Sequence, residues 1–170
     1  LQKHGKIKFK LSFLIMDPGY QKETLTKIKG NLEALNLSYH IKKSDIFEVA
    51  NKLSKDHPCY LCARMRRGFL YQKAQDLGCN KIALGHHFDD VIETILLSMF
   101  YGGEFKTMLP KLKSTNFEGM ELIRPLYLVR EEAIKSFWNQ NEYQFINCAC
   151  ALSKKEEKLS KRYEIKKLLE

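Results

Sequence analysis

Two cysteines three residues apart, Cys59 and Cys62, open the stretch of this chain with the most chemistry in it. Thiols at that spacing, just ahead of or at a helix start, can both face one metal ion or cluster. Helix N–H groups and nearby cations lower their pKa and make them better ligands. Arg64, Arg66 and Arg67 follow at once and form a candidate anion site. The plainer alternative is two ordinary thiols ahead of a solvated basic helix face. A second pair, Cys148 and Cys150, is weak alone. Together with Cys59 and Cys62 it can complete a three- or four-cysteine site, because ligands need only meet in space. Cys79, next to Gly78 at a strand start, reads as a small core residue.

The other loaded segment is Gly85-His86-His87-Phe88-Asp89-Asp90. Adjacent carboxylates at a helix start suit Mg²⁺, which takes one or two carboxylates plus substrate phosphates. They suit equally well the helix dipole and its unsatisfied N–H groups. His86 and His87 are candidate general bases or metal ligands, with a structural role as the alternative.

These segments need elements to position them. Residues 6–16 are apolar and β-rich and end at the turn Asp17-Pro18-Gly19. Leu25, Ile28, Leu32 and Leu35 give 21–36 helical spacing, and 37–42 alternates as a strand does. Helices are expected over 45–54 and 60–77, a short buried strand over 80–85 and a helix over 88–100. Residues 104–119 read as a polar loop, 122–126 as a strand around Arg124-Pro125, 130–141 as a helix, 143–147 as extended and 154–169 as a Lys/Glu-rich helix. Strands alternating with helices predict an α/β fold, a parallel sheet with helices on both faces. Ligands of such sheets bind beyond the carboxyl ends of the strands. Asp17-Pro18-Gly19, Gly85 to Asp90 and Arg124-Pro125-Leu126 all follow strands and are expected to converge there.

Composition narrows the setting. The 170 residues carry 29 Lys and Arg against 20 Asp and Glu, a net charge of +9, which favours phosphate-rich partners such as RNA, DNA or nucleotides. A Lys-rich but merely soluble surface is the alternative. No apolar run approaches the ~20 residues of a membrane span. Five cysteines and no secretory signal argue against a disulfide scaffold and for a reducing, cytoplasmic setting. The last helix bears Lys154, Lys155, Lys158, Lys161, Arg162, Lys166 and Lys167, an RNA-phosphate stripe or, with its interleaved Glu residues, an ordinary solvated helix.

The run from Cys59 to Gly103, followed by Leu109-Pro110-Lys111-Leu112, Ile123-Arg124-Pro125-Leu126 and a cysteine pair, closely resembles the tRNA 2-thiocytidine synthetases, PP-loop ATPases of the adenine nucleotide alpha-hydrolase-like superfamily. The resemblance extends from about Lys8 to Ser153. It implies a Rossmann-like, HUP-type domain over 1–153 with a basic C-terminal helix over 154–170. It also implies a tRNA-cytidine 2-sulfurtransferase. In that family ATP adenylates the C2 oxygen of an anticodon-loop cytidine, and sulfur carried by a three-cysteine 4Fe–4S cluster displaces AMP. The expected cofactors are ATP, Mg²⁺ and the cluster. The expected partners are tRNA, a sulfur donor (a cysteine desulfurase system or sulfide) and a second copy of the chain. Residue by residue, Cys59 and Cys62 match the cluster ligands. The third ligand is Cys150 or Cys148, since the family spaces that pair by two residues and this chain by one. Asp89, Asp90 and Arg67 take the catalytic positions, and Arg66, Arg124, Gly85, His86 and His87 the nucleotide or substrate positions. The family's SGGxDS loop, which cradles the ATP phosphates, is missing ahead of Lys8. The chain therefore reads as an N-terminally truncated member, lacking its first strand and inactive alone. A 2-thiouridine-forming relative and a non-catalytic Zn²⁺- or RNA-binding module are the competing readings.

Overall fold

The computed structural model describes residues 5–6, 8–53, 58–141 and 161–169, with Asn51, Pro58 and Cys59 described for their backbone alone. Contacts divide the chain into two units, 1–70 and 71–170.

In the first unit β1 (Phe13–Asp17) pairs in parallel with β2 (Tyr39–Lys43), Phe13 opposite Tyr39 and Asp17 opposite Lys43. Parallel neighbours require a crossover, and α1 (Lys22–Ala34) supplies it. Of its apolar stripe Leu25, Ile28 and Leu32 are half-buried, whereas Leu35 lies past the helix end and is exposed. Asn36 stops the helix in the left-handed region (φ 54°), which Asn tolerates better than most residues. β1 is shorter than the expected 6–16, because β2 offers a partner to only five residues. The turn after β1 is set by Asp17, whose Oδ1 accepts the N–H groups of Gly19 (3.0 Å) and Tyr20 (2.8 Å). Gly19 at φ 110° is where a side chain would be strained. Met16, Ile46 and Ala50 form the buried apolar set, with Ile46 and Ala50 on α2 (Ile46–Leu53). α3 (Pro58–Asp76) starts at Pro58, earlier than expected, since proline's fixed φ and missing N–H cost nothing at the first helical position. Its last turns enter the second unit.

The second unit has a three-stranded sheet in the order β3 (Lys81–Ala83), β5 (Glu121–Ile123), β4 (Lys111–Lys113). β3 and β5 are parallel, and β4 adds antiparallel to β5. The expected polar loop over 104–119 thus contains a strand. Lys111, Leu112 and Lys113 are all exposed, so no buried period marked it. Its partner specifies it instead: Glu121 pairs with Lys111 (3.0 Å) from one side and with Lys81 from the other. β5 ends at Ile123 rather than running through 126, as Pro125 has no N–H for a ladder. The core holds Tyr71, Ala74, Met120 and Leu122, with Cys79, Ile82, Leu84 and Phe117 packed on it, and Tyr71 stacks on Phe117 at 4.9 Å. Cys79 is the core residue expected. α4 (Phe88–Gly102), α5 (Glu131–Gln140) and α6 (Lys161–Leu169) complete the described elements. The α/β class with parallel pairing holds, with one antiparallel edge strand added. The expected extended segment 143–147 and helix residues 154–160 lie outside the described residues.

Candidate active site

The N-terminus of α4 gathers most of the charged chemistry of the second unit. The chain leaves β3 at Leu84, whose N–H donates to the Ile123 carbonyl (3.0 Å), and enters Gly85-His86-His87. Phe88 N–H then reaches the Val129 carbonyl (2.9 Å). The loop after β3 and the loop after β5 are thereby joined, and two of the three strand-end segments expected to converge do so. The third, Asp17-Pro18-Gly19, belongs to the first unit.

Each carboxylate oxygen of the acidic pair meets a protein group. Asp89 Oδ2 accepts the Glu131 N–H (2.7 Å) and so caps α5 from outside it, while Oδ1 pairs with Arg130 (3.2 Å). Arg130 also covers the Phe88 ring at 5.4 Å. Asp90 Oδ2 accepts the His87 N–H (3.0 Å), one half of a capping box, and Oδ1 faces Arg162 (3.4 Å). One turn on, Glu93 is 2% exposed and lies against Arg162 (2.8 Å) and Lys166 (3.6 Å). Burying a carboxylate so far from water is costly without compensating cations, and α6 provides them.

His86 and His87 are half-buried, and the Nδ1 atom of each is buried without a hydrogen-bond partner among the described residues. His87 Nε2 sits 3.4 Å from Asp90 Oδ2. Burial pushes the His86 pKa below the ordinary imidazole range; Asp90 opposes this, and Arg124, Arg162 and His87 reinforce it. His86 is therefore a neutral imidazole at neutral pH. Gly85 has neither a positive φ nor a crowded Cβ position, so packing alone does not demand glycine there. Arg124 donates to the Leu109 carbonyl and braces the chain ahead of β4.

Cys59 and Cys62 stand one turn apart in the first turns of α3, and Cys62 is half-buried. Arg64, Arg66 and Arg67 follow on the same helix, their side chains exposed and without a hydrogen bond or ion pair among the described residues. Cys148 and Cys150 lie outside the described residues. Among those described, no three His, Cys, Asp or Glu side chains converge to hold a metal ion.

Four cations of the last helix are described, and each has a partner within the chain. Arg162 and Lys166 face the carboxylates of α4 and α5, Lys161 lies over the Tyr101 ring (4.7 Å) and Lys167 over Tyr163 (5.1 Å). Arg162 and Lys166 thus meet carboxylates and Lys161 and Lys167 meet rings, while Lys161, Arg162 and Lys167 also remain exposed to solvent. Sequence reasoning assigned no role to Glu93, Arg130 or Glu131. The one available signal was a glutamate three residues after Asp90, inside an otherwise apolar helix run.

No described helix is long and apolar enough to cross a membrane. The PP-loop domain family model matches residues 20–165, and the chain belongs to that family. Its curated relatives include the tRNA-cytidine(32) 2-sulfurtransferases of Geobacter sulfurreducens (36% identical, 88% of this chain, 59% of the relative) and Alcanivorax borkumensis (40%, 91% and 55%). That of Vibrio cholerae is 42% identical over 87% of this chain and 48% of the relative. The chain thus spans about half the length of the curated relatives it matches. Among solved structures, the U34-tRNA thiolase NcsA from Methanococcus maripaludis, with its [4Fe-4S] cluster, aligns at TM-score 0.66 and 19% identity, over 99% of this chain and 64% of its own. That likeness shows the PP-loop, HUP-type fold.

Proposed function

We propose that this chain is part of an ATP-dependent tRNA sulfurtransferase that converts a cytidine of the anticodon loop, position 32, to 2-thiocytidine. The observation that carries the reading is the 36–42% identity to enzymes of that name over nearly the whole chain. In this reading Cys59, Cys62 and one of Cys150 and Cys148 hold a 4Fe–4S cluster. Two thiols one turn apart at a helix start, with three arginines following, are a donor set that suits it. When bound, the cluster supplies an iron open to sulfur delivered by a cysteine desulfurase system or as sulfide. Arg66 and Arg67 neutralise tRNA or ATP phosphates, and Arg124 adds to them. Adenylation at the C2 oxygen turns a poor leaving group into AMP, which sulfur then displaces. The unpartnered Nδ1 atoms of His86 and His87, beside the open Cβ position of Gly85, favour ligand contact at this loop.

Asp89 and Asp90 serve that loop by holding it. All four of their oxygens have protein partners, which fits poorly with direct Mg²⁺ ligation. Mg²⁺ then travels with the ATP phosphates. The reading extends to a cytoplasmic homodimer.

The test is complementation of a strain lacking its cytidine-32 thiolase with the open reading frame that encodes this chain. Mass spectrometry of tRNA digests should show 2-thiocytidine restored. Restored 2-thiouridine alone would move the chain to the uridine enzymes. Stoichiometric zinc without iron or sulfide, after anaerobic purification and with no thiolation, would leave only a binding module.

A further inference from the structure

We propose that Arg162, on the C-terminal helix α6, is a positioning residue for Asp90 and, through it, for the His86-His87 loop. One nitrogen, Nη1, lies 2.8 Å from Glu93 Oε2 and 3.4 Å from Asp90 Oδ1. Asp90 and Glu93 are three residues apart on α4 and so share a face. Two carboxylates there repel each other, and Glu93, 2% exposed, has no water to screen it. The shared guanidinium relieves that repulsion. It also fixes the Asp90 carboxylate with Oδ1 toward α6 and Oδ2 toward the His87 N–H (3.0 Å) and Nε2 (3.4 Å). A cation more than seventy positions along the chain from His87 therefore sets the cap that seats this loop.

Lys166 is the built-in control. It lies one turn on along α6 and meets Glu93 (3.6 Å) and Glu131 (3.7 Å). Loss of either cation loosens α6, but loss of Arg162 alone releases Asp90. A lysine at 162 keeps the charge without the planar fork and should restore only part of the effect.

The reach of this inference into turnover rests on the proposed function, so the test has one readout that does not. Amide exchange at His87, followed by NMR, reports the Asp90 cap directly. KM for ATP in the cluster-loaded protein expressed from the full reading frame reports the site. Arg162→Met should speed His87 exchange about tenfold and raise KM by a similar factor, with Arg162→Lys in between. Lys166→Met should change both less than about twofold. Equal effects from the two cations, or no change in His87 exchange on losing Arg162, would overturn the proposal. Absence of ATP turnover in the protein expressed from the full reading frame would sink the functional reading and leave the exchange result to decide this one. If Arg162→Met does not fold, Arg162→Lys is compared with and without Asp90→Asn. The lysine's effect on His87 exchange must disappear in the Asp90→Asn background, and its persistence there would also overturn the proposal.

Discussion

The starts of α3 and α4 are built from similar materials and handle charge in opposite ways. At α3, two thiols precede three arginines that lie exposed and make no ion pair among the described residues. At α4, Asp89, Asp90 and Glu93 each meet a cation, and the backbone N–H groups nearby are capped. Uncompensated surface charge adds little to stability and is available to a polyanion. Compensated, half-buried charge contributes to order and is already spoken for. In the proposed function the first region serves recognition and cluster ligation, and the second holds a loop in place.

That contrast can be broken experimentally. The largest effect is expected from Cys62→Ala: iron and sulfide content should fall to background and 2-thiocytidine should vanish from tRNA digests, while circular dichroism stays unchanged. A fully loaded variant would remove Cys62 from the ligand set. Next, Arg66→Ala with Arg67→Ala should weaken tRNA binding roughly tenfold or more and reduce the salt slope by about two. Its melting temperature should stay close to the parent's, since exposed substitutions cost within about 0.5 kcal/mol. A large loss of stability with an unchanged salt slope would reverse the roles given to the two regions. Asp89→Ala should do the opposite, costing about 1–3 kcal/mol in denaturant unfolding by leaving the Glu131 N–H and Arg130 without their acceptor. The smallest effect concerns His86. Its folded pKa lies below the unfolded value of about 6.5, so the unfolded chain binds more protons as pH falls through that range. Stability contributed by the neutral ring is complete above about pH 6.5 and is lost below it. His86→Asn should flatten this part of the stability–pH curve between pH 7.5 and 5.5; an unaltered slope would show that other groups produce it.

Much of this architecture was legible because it follows from local periodicity. Leu25, Ile28 and Leu32 marked α1, and the apolar run after His87 marked α4, both close to their observed limits. β4 was not legible, for its three residues are exposed and gain their strand character from Glu121 across the sheet. The early start of α3 was readable in principle, as Pro58 sits where a first-turn proline belongs. At the site, Asp89 and Asp90 were picked out from their types, and the structure adds which protein groups their oxygens meet. Spacing cannot tell a metal ligand from a cap, since both need a carboxylate at a helix start. Glu93 was hidden in an apolar run, and its partners come from a helix about seventy residues away.

By itself the sequence determined the α/β class, the basic balance and the residues able to do chemistry, because side-chain type and short-range spacing act along the chain. Tertiary structure alone decided which charges are satisfied. It turned two cations of an expected RNA stripe toward Glu93 and Asp90, left the arginines of α3 exposed, and left the Nδ1 atoms of His86 and His87 without a hydrogen-bond partner among the described residues. The physical reason is that an ion pair or a buried polar atom depends on distance and on exclusion of water, and both are set by segments far apart in the chain.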